Sequence, residues 1–161
     1  PERTMRDSLT QFLKITLRGA EVRPEQNTDE SHTIDIKVTF TLTNRLALIE
    51  IKWLGKSVRK RPRKITATYS DERARVGAGR LADYLDWYME QAPTRVTRGY
   101  LVVLDGRRHG LKIGTKTLGQ QRARYYRNRE IQFDPKYHET RDDFDEPLRM
   151  FMEPRLSRIP D

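Results

Sequence analysis

The chain has 161 residues, 35% of them apolar and 34% charged, a length for one domain with a modest core. It lacks cysteine, which excludes disulfides, thiolate metal sites and a thiol nucleophile; no apolar run reaches membrane-spanning length and no signal peptide is present, so a cytoplasmic location is expected. Thirty-two Lys and Arg against 23 Asp and Glu give a net charge of +9, which favours a polyanionic partner, with nucleic acid ahead of a membrane because no strongly amphipathic basic helix is seen.

The chain opens on Pro1 rather than Met, as a piece of a longer protein with a further domain would. Residues 1–17 predict an amphipathic helix, with Met5, Leu9, Phe12, Leu13 and Thr16 on one stripe, Pro1 and Glu2 suited to the first turn, and Gly19 as a stop. A short edge strand over 20–23 and a polar loop containing Glu25 and His32 are expected next.

Residues 33–53 read as a hairpin. Ile34, Ile36, Val38 and Phe40 alternate with Asp35, Lys37, Thr39 and Thr41, while Ala47, Ile49, Ile51 and Trp53 alternate with Leu46, Leu48, Glu50 and Lys52. A two-residue Thr43-Asn44 loop would pair Leu42 with Arg45, Ile36 with Ile51 and Asp35 with Lys52. Asp35, Glu50 and Lys52 then gather on one face: two hard oxygen ligands suited to Mg²⁺ or Mn²⁺, and a cation able to orient water or stabilise a phosphate. The competing reading is a solvated polar face with cross-strand charge pairs.

Lys56, Arg59, Lys60, Arg61, Arg63 and Lys64 follow, around Pro62, as a basic loop suited to phosphate contacts or simply to solvent. After Ser70 as N-cap, a helix is predicted over 72–91, with Val76, Leu81, Tyr84, Leu85, Tyr88 and Met89 on its inner face and Gly77 and Gly79 weakening it. Residues 99–105 form a continuous apolar strand, of the kind buried on both faces. Asp105-Gly106 begins a turn into a basic loop, and 116–129 predict a basic helix. Its Arg122, Arg124, Tyr125 and Arg127 either grip backbone and stack on bases or pack their aromatic rings inward. An edge strand over 130–133 and a short helix carrying Leu148, Met150, Phe151, Met152 and Leu156 complete the chain. Between them Asp142, Asp143, Asp145 and Glu146 form an acidic cluster, read as self-shielding ahead of a second metal site.

The spacing Asp35-x14-Glu50-x-Lys52 on adjacent strands, in the order helix, edge strand, hairpin, helix, buried strand, resembles the PD-(D/E)xK nuclease superfamily. The resemblance covers about residues 2–105; the family's proline is absent, Ile34 preceding Asp35. It implies an α/β fold of restriction-endonuclease-like type: an α-β-β-β-α-β core with a mixed central sheet flanked by helices (1–112), and a C-terminal extension packed on it (113–161). It implies Mg²⁺ or Mn²⁺ held by Asp35, Glu50 and the Ile51 carbonyl, with Glu2 where a helix-start glutamate approaches the metal and Glu25 as an extra acid. Lys52 would position or help deprotonate the attacking water, leaving a 5′-phosphate and a 3′-hydroxyl. Relatives place a Gln four residues before a Tyr on the next helix; here Arg80 stands before Tyr84, so the tyrosine matches and Arg80 is a candidate phosphate contact. The expected activity is metal-dependent hydrolysis of DNA, RNA remaining open, by a chain that could act as a homodimer; the alternative is a non-catalytic nucleic-acid-binding module on the same fold.

Overall fold

The computed structural model describes residues 2–29, 32–59, 64–110 and 119–152. In chain order, α1 (Glu2–Thr16), β1 (Ala20–Asp29), β2 (His32–Phe40) and β3 (Arg45–Arg59) lead to β4 (Lys64–Tyr69) and α2 (Asp71–Gln91). They are followed by β5 (Val96–Asp105), α3 (Gln120–Arg124), α4 (Tyr137–Thr140) and β6 (Leu148–Phe151). The fold is α/β, with a mixed sheet of six strands ordered β1-β2-β3-β5-β6 and β4 hydrogen-bonded to β3 off that path. The first four strands pair antiparallel, whereas β3, β5 and β6 run parallel to one another.

Two helices cover the two faces of the sheet. Met5, Leu9, Leu13 and Leu17 of α1 and the residue after it, spaced by four, lie on Val22, Ile36, Val38, Ile49, Ile51, Val102 and Leu104. On the other face α2 buries Leu81, Tyr84, Leu85 and Tyr88 against Ile34, Leu46, Leu48, Leu101 and Val103. Each fully buried Leu in these layers contributes about 1.5–3 kcal/mol. Phe12, Val76 and Met89, expected inside, are exposed instead. The four-residue spacing in α1 leaves Phe12 off the stripe, and Arg6 and Thr10 are buried in its place.

The hairpin differs from its expected register by two residues: Phe40 pairs with Arg45, Val38 with Ala47 and Ile36 with Ile49. The connection is four residues long, closed by Thr43 N–H to the Phe40 carbonyl (3.4 Å), and Asn44 takes the left-handed conformation at φ 49°. Leu42 is therefore outside the ladder and solvent-exposed. Because side chains repeat every two residues, a shift of two changes partners without changing faces.

Five further expectations are corrected. The strand β1 continues to Asp29, its Pro24 tolerated because β1 lies at the sheet edge. Strand β3 continues past Trp53 to Arg59 and is joined by β4, so Lys56, Arg59 and Lys64 of the basic stretch lie on paired strands rather than in a loop, residues 60–63 being outside the described ones. The strand leaves the main sheet at Gly55, whose φ of 145° and closeness to the Trp53 indole, 3.1 Å from an added Cβ, both demand glycine. The expected terminal helix is instead strand β6, held parallel to β5 and closed by Met152 N–H to the Asp105 carbonyl at 2.9 Å. With that edge of β5 taken, residues 130–133 form no strand; Ile131 and Phe133 pack on the core as irregular chain. The basic helix is short, α3 alone, with 111–118 outside the described residues. No helix among the described residues is long and apolar enough to cross a membrane.

Candidate active site

Asp35 sits where β2 breaks its own alternation. Ile34 belongs to the core under α2 and Ile36 to the core under α1, although strand residues two apart should share a face. The paired positions of β2 and β3 end at Ile36 and Ile49, and beyond them the Asp35 side chain takes the place of a ladder bond: Ile51 N–H donates to Asp35 Oδ2 at 2.8 Å. Because the N–H and C=O of a strand residue leave on the same edge, the Ile51 carbonyl faces Asp35's side. Arg6 of α1 approaches the other oxygen, with Nη1 3.5 Å from Oδ1.

Glu50 and Lys52 follow on the α2 side of β3, both buried, and Lys52 Nζ is ion-paired with Glu50 Oε1. Burial pushes the Glu50 carboxyl up to about 7; Lys52 works against that rise and the nearby Asp35 adds to it. Glu50 Oε2 is buried with no hydrogen-bond donor among the described residues. The lysine stem runs under α2 at Gly77, where an added Cβ would lie 2.6 Å from Lys52 Cγ and 2.8 Å from Cε. A glycine that costs the helix about 1 kcal/mol relative to Ala thus opens the groove in which the lysine lies.

Tyr84 is buried and donates its hydroxyl to the Thr33 carbonyl at 2.7 Å, pinning β2 just ahead of Asp35. Burial, reinforced by Glu50, raises its pKa to about 12, so it remains a neutral donor. Its role is structural, as the core reading had it. Arg80, one turn earlier, is exposed and close enough to Glu50 to lower that carboxyl's pKa.

Glu2 does reach the site, but its oxygens are engaged by cations. Arg73 Nη2 donates to Oε2 at 2.6 Å, and Lys52 Nζ lies 3.8 Å from Oε1. The Arg73 guanidinium also lies over the Tyr69 ring, 4.4 Å from its centre, at the foot of the second hairpin. Arg6 and Arg73 carry no motif and escaped the sequence reading; their partners Asp35 and Glu2 are 29 and 71 residues away in the chain.

The remaining candidates are dispersed. Lys56, Arg59 and Lys64 lie exposed on the hairpin arm, while Lys60, Arg61 and Arg63 fall outside the described residues, as does the side chain of Glu25. Arg122 and Arg124 are exposed on α3. Tyr125 is already engaged, with His109 stacked at 4.0 Å and the Arg129 guanidinium 4.2 Å from its ring, and Arg127 lies 5.6 Å from the Phe151 ring. Two acids of the acidic cluster are held by arginines: Arg141 grips Asp143, along with Asp86 of α2, and Arg98 grips Asp145.

Asp105, expected to start a turn, is instead a fully buried charge held by Arg107 and Arg149 at 2.7 Å each. Burial opposes its ionisation, but the two arginines outweigh burial and lower its pKa. Arg149 also donates to the Tyr126 carbonyl at 2.8 Å, and Arg107 to Asp71 at 2.6 Å, which ties the C-terminal extension and α2 to the end of β5.

The donor set suits a hard divalent ion. No three His, Asp or Glu side chains converge among the described residues, so the anionic ligands on hand are Asp35 and Glu50. Mg²⁺ commonly binds through one or two carboxylates and keeps several waters, and the idle, buried Glu50 Oε2 is an oxygen that such an ion would satisfy. No protein-family model matches the chain, and neither a curated protein nor a solved structure matches it at a significant level.

Proposed function

We propose that the chain is a divalent-metal-dependent nuclease of the PD-(D/E)xK type that hydrolyses DNA phosphodiester bonds. The observation that carries this reading is the meeting of Asp35, Glu50 and Lys52 at the break in β2, with a buried Glu50 oxygen left without a donor. Such an oxygen is costly unless something binds it, and a hydrogen-bonded structural charge would have no reason to keep it. The order α1-β1-β2-β3-α2-β5, with β4 inserted as an arm, supports the restriction-endonuclease-like arrangement.

Asp35 and Glu50 would hold Mg²⁺ or Mn²⁺, with the Ile51 carbonyl on the same edge; the ion supplies charge neutralisation at the phosphate and activation of water. Lys52, fixed in the Gly77 groove, would direct its ammonium at the attacking water or at the negative charge developing on the phosphoryl oxygens. The Ile51 N–H bond holds Asp35 in a single orientation, so little reorganisation is needed as substrate arrives. Lys56, Arg59 and Lys64, exposed on the hairpin arm, and Arg80 beside Glu50 would meet flanking phosphates on this reading.

Supercoiled plasmid and labelled linear duplex, incubated with Mg²⁺, Mn²⁺ or EDTA, test the reading. Metal-dependent cleavage is expected from the wild type and a loss on the order of 10²-fold or more from Asp35→Ala and Lys52→Ala. Retained cleavage by Lys52→Ala would remove the site assignment. DNA binding without cleavage under any metal would leave the non-catalytic binding module.

A further inference from the structure

We infer that Lys52 and Arg73 form an oxyanion site for a substrate phosphate, and that the Glu2 carboxylate occupies this site in the free protein. The phosphate's identity as a phosphodiester rests on the nuclease reading; the anion site itself rests on geometry. One Glu2 carboxylate spans two cations from different elements, accepting from Arg73 Nη2 at 2.6 Å while its other oxygen lies 3.8 Å from Lys52 Nζ. Two oxygens on one centre, held between a guanidinium and an ammonium, is also how two non-bridging oxygens of a phosphate are held.

Arg73 is built for more than this one bond. Tyr69 supports its guanidinium from the ring face, and its Nε is buried without an acceptor among the described residues. A guanidinium that donates through Nη2 with its Nε idle has half of a bidentate fork unused. Two phosphate oxygens would fill both positions where Glu2 fills one.

The interactions also indicate which group gives way. The Lys52 hydrogen bond goes to Glu50, and its 3.8 Å approach to Glu2 is coulombic only. Lys52 is locked under Gly77, whereas Glu2 sits in the first turn of α1, with a quarter of its side chain exposed. Helix ends fray, so Glu2 is the least constrained of the four groups. Phosphate therefore displaces Glu2, and Glu2 opposes substrate binding where a metal ligand would assist it.

The test titrates wild type, Glu2→Gln, Arg73→Ala and the double variant with a labelled DNA duplex in EDTA, and with inorganic phosphate by calorimetry. Glu21→Gln, an exposed carboxylate elsewhere, controls for net charge. Glu2→Gln should tighten both ligands about tenfold, the scale of one partly exposed charged hydrogen bond. Arg73→Ala should weaken both by a similar factor and abolish the gain from Glu2→Gln; the control should move affinity less than about twofold. With Mg²⁺, Glu2→Gln should lower KM and keep kcat. Unchanged or weaker phosphate binding by Glu2→Gln, or a joint loss of Mg²⁺ affinity and kcat, overturns the inference. Should the wild type cleave nothing, the nuclease reading falls while the phosphate titration still decides this site.

Discussion

Glu50→Gln should make the protein more stable while removing its activity, and the size of the gain follows from the carboxyl's environment. Burial sets the Glu50 pKa at about 7 against 4.5 unperturbed, even with Lys52 beside it. At about 1.4 kcal/mol per pH unit, the ionised side chain destabilises the fold by about 3 kcal/mol above pH 7. The sign follows from proton uptake. The folded state binds this proton more tightly than the unfolded chain, so Glu50's contribution is fully present below pH 4.5 and is lost as pH rises to about 7. Gln, neutral and of the same shape, keeps that contribution at every pH. Urea unfolding of both proteins in EDTA from pH 4 to pH 9 should therefore give matching stabilities at the acid end, with the variant ahead by up to about 3 kcal/mol at pH 8. Taking the difference between the two proteins removes the titration of every other carboxylate. Added Mg²⁺ should restore much of the deficit in the wild type above pH 7 and little in the variant. A variant less stable than wild type at pH 8 would show that the Lys52 ion pair outweighs burial, and the account of Glu50 would be wrong.

Two other perturbations separate the groove from the scaffold. Gly77→Ala should cut the cleavage rate at least tenfold with the fold retained, its Cβ displacing the Lys52 stem at about 1–3 kcal/mol of overpacking against about 1 kcal/mol of helix propensity regained. Gly79→Ala, with nothing within 4 Å of the new Cβ, should raise stability by about 1 kcal/mol and leave the rate unchanged, both read by thermal melts and plasmid cleavage. Asp105→Asn should cost about 3 kcal/mol in urea unfolding by leaving Arg149 without a carboxylate partner among the described residues and Arg107 with Asp71 alone. Its lowered pKa means that this contribution persists through the mildly acid range and is lost only as pH falls below the usual carboxylate values.

Periodic patterns made most of the fold legible. The stripe of α1, the alternation of β2 and β3, the inner face of α2 and the apolar run of β5 each identify an element without help from its neighbours. Over the paired residues 36–40 and 45–49 a two-residue error in register kept the faces, so Glu50 and Lys52 stay on one side of β3. Asp35 joins them through its bond to Ile51 N–H beyond the ladder, at a break in alternation that puts Ile34 and Ile36 on opposite faces and that periodicity does not show. Strands β4 and β6 were missed for a different reason. Six and four residues long, they have no stable face of their own and exist because β3 and β5 offer open edges. The two site arginines were out of reach as well. An Arg on an amphipathic helix normally faces solvent, and only the tertiary fold shows that Arg6 meets Asp35 or that Arg73 meets Glu2.

These missed cations offset the carboxylates that lie around Lys52 before any ligand arrives. Glu2, Asp35 and Glu50 are faced by Arg73, Arg6 and Lys52, one positive charge for each negative. Burial holds the Glu50 proton to about pH 7, and Arg6 and Arg73 set a positive charge beside each of the other two carboxylates. A divalent cation and a phosphodiester entering together change that balance less than the cation would alone. On the proposed nuclease reading, the same pairing would couple binding of the metal ion to binding of the phosphate.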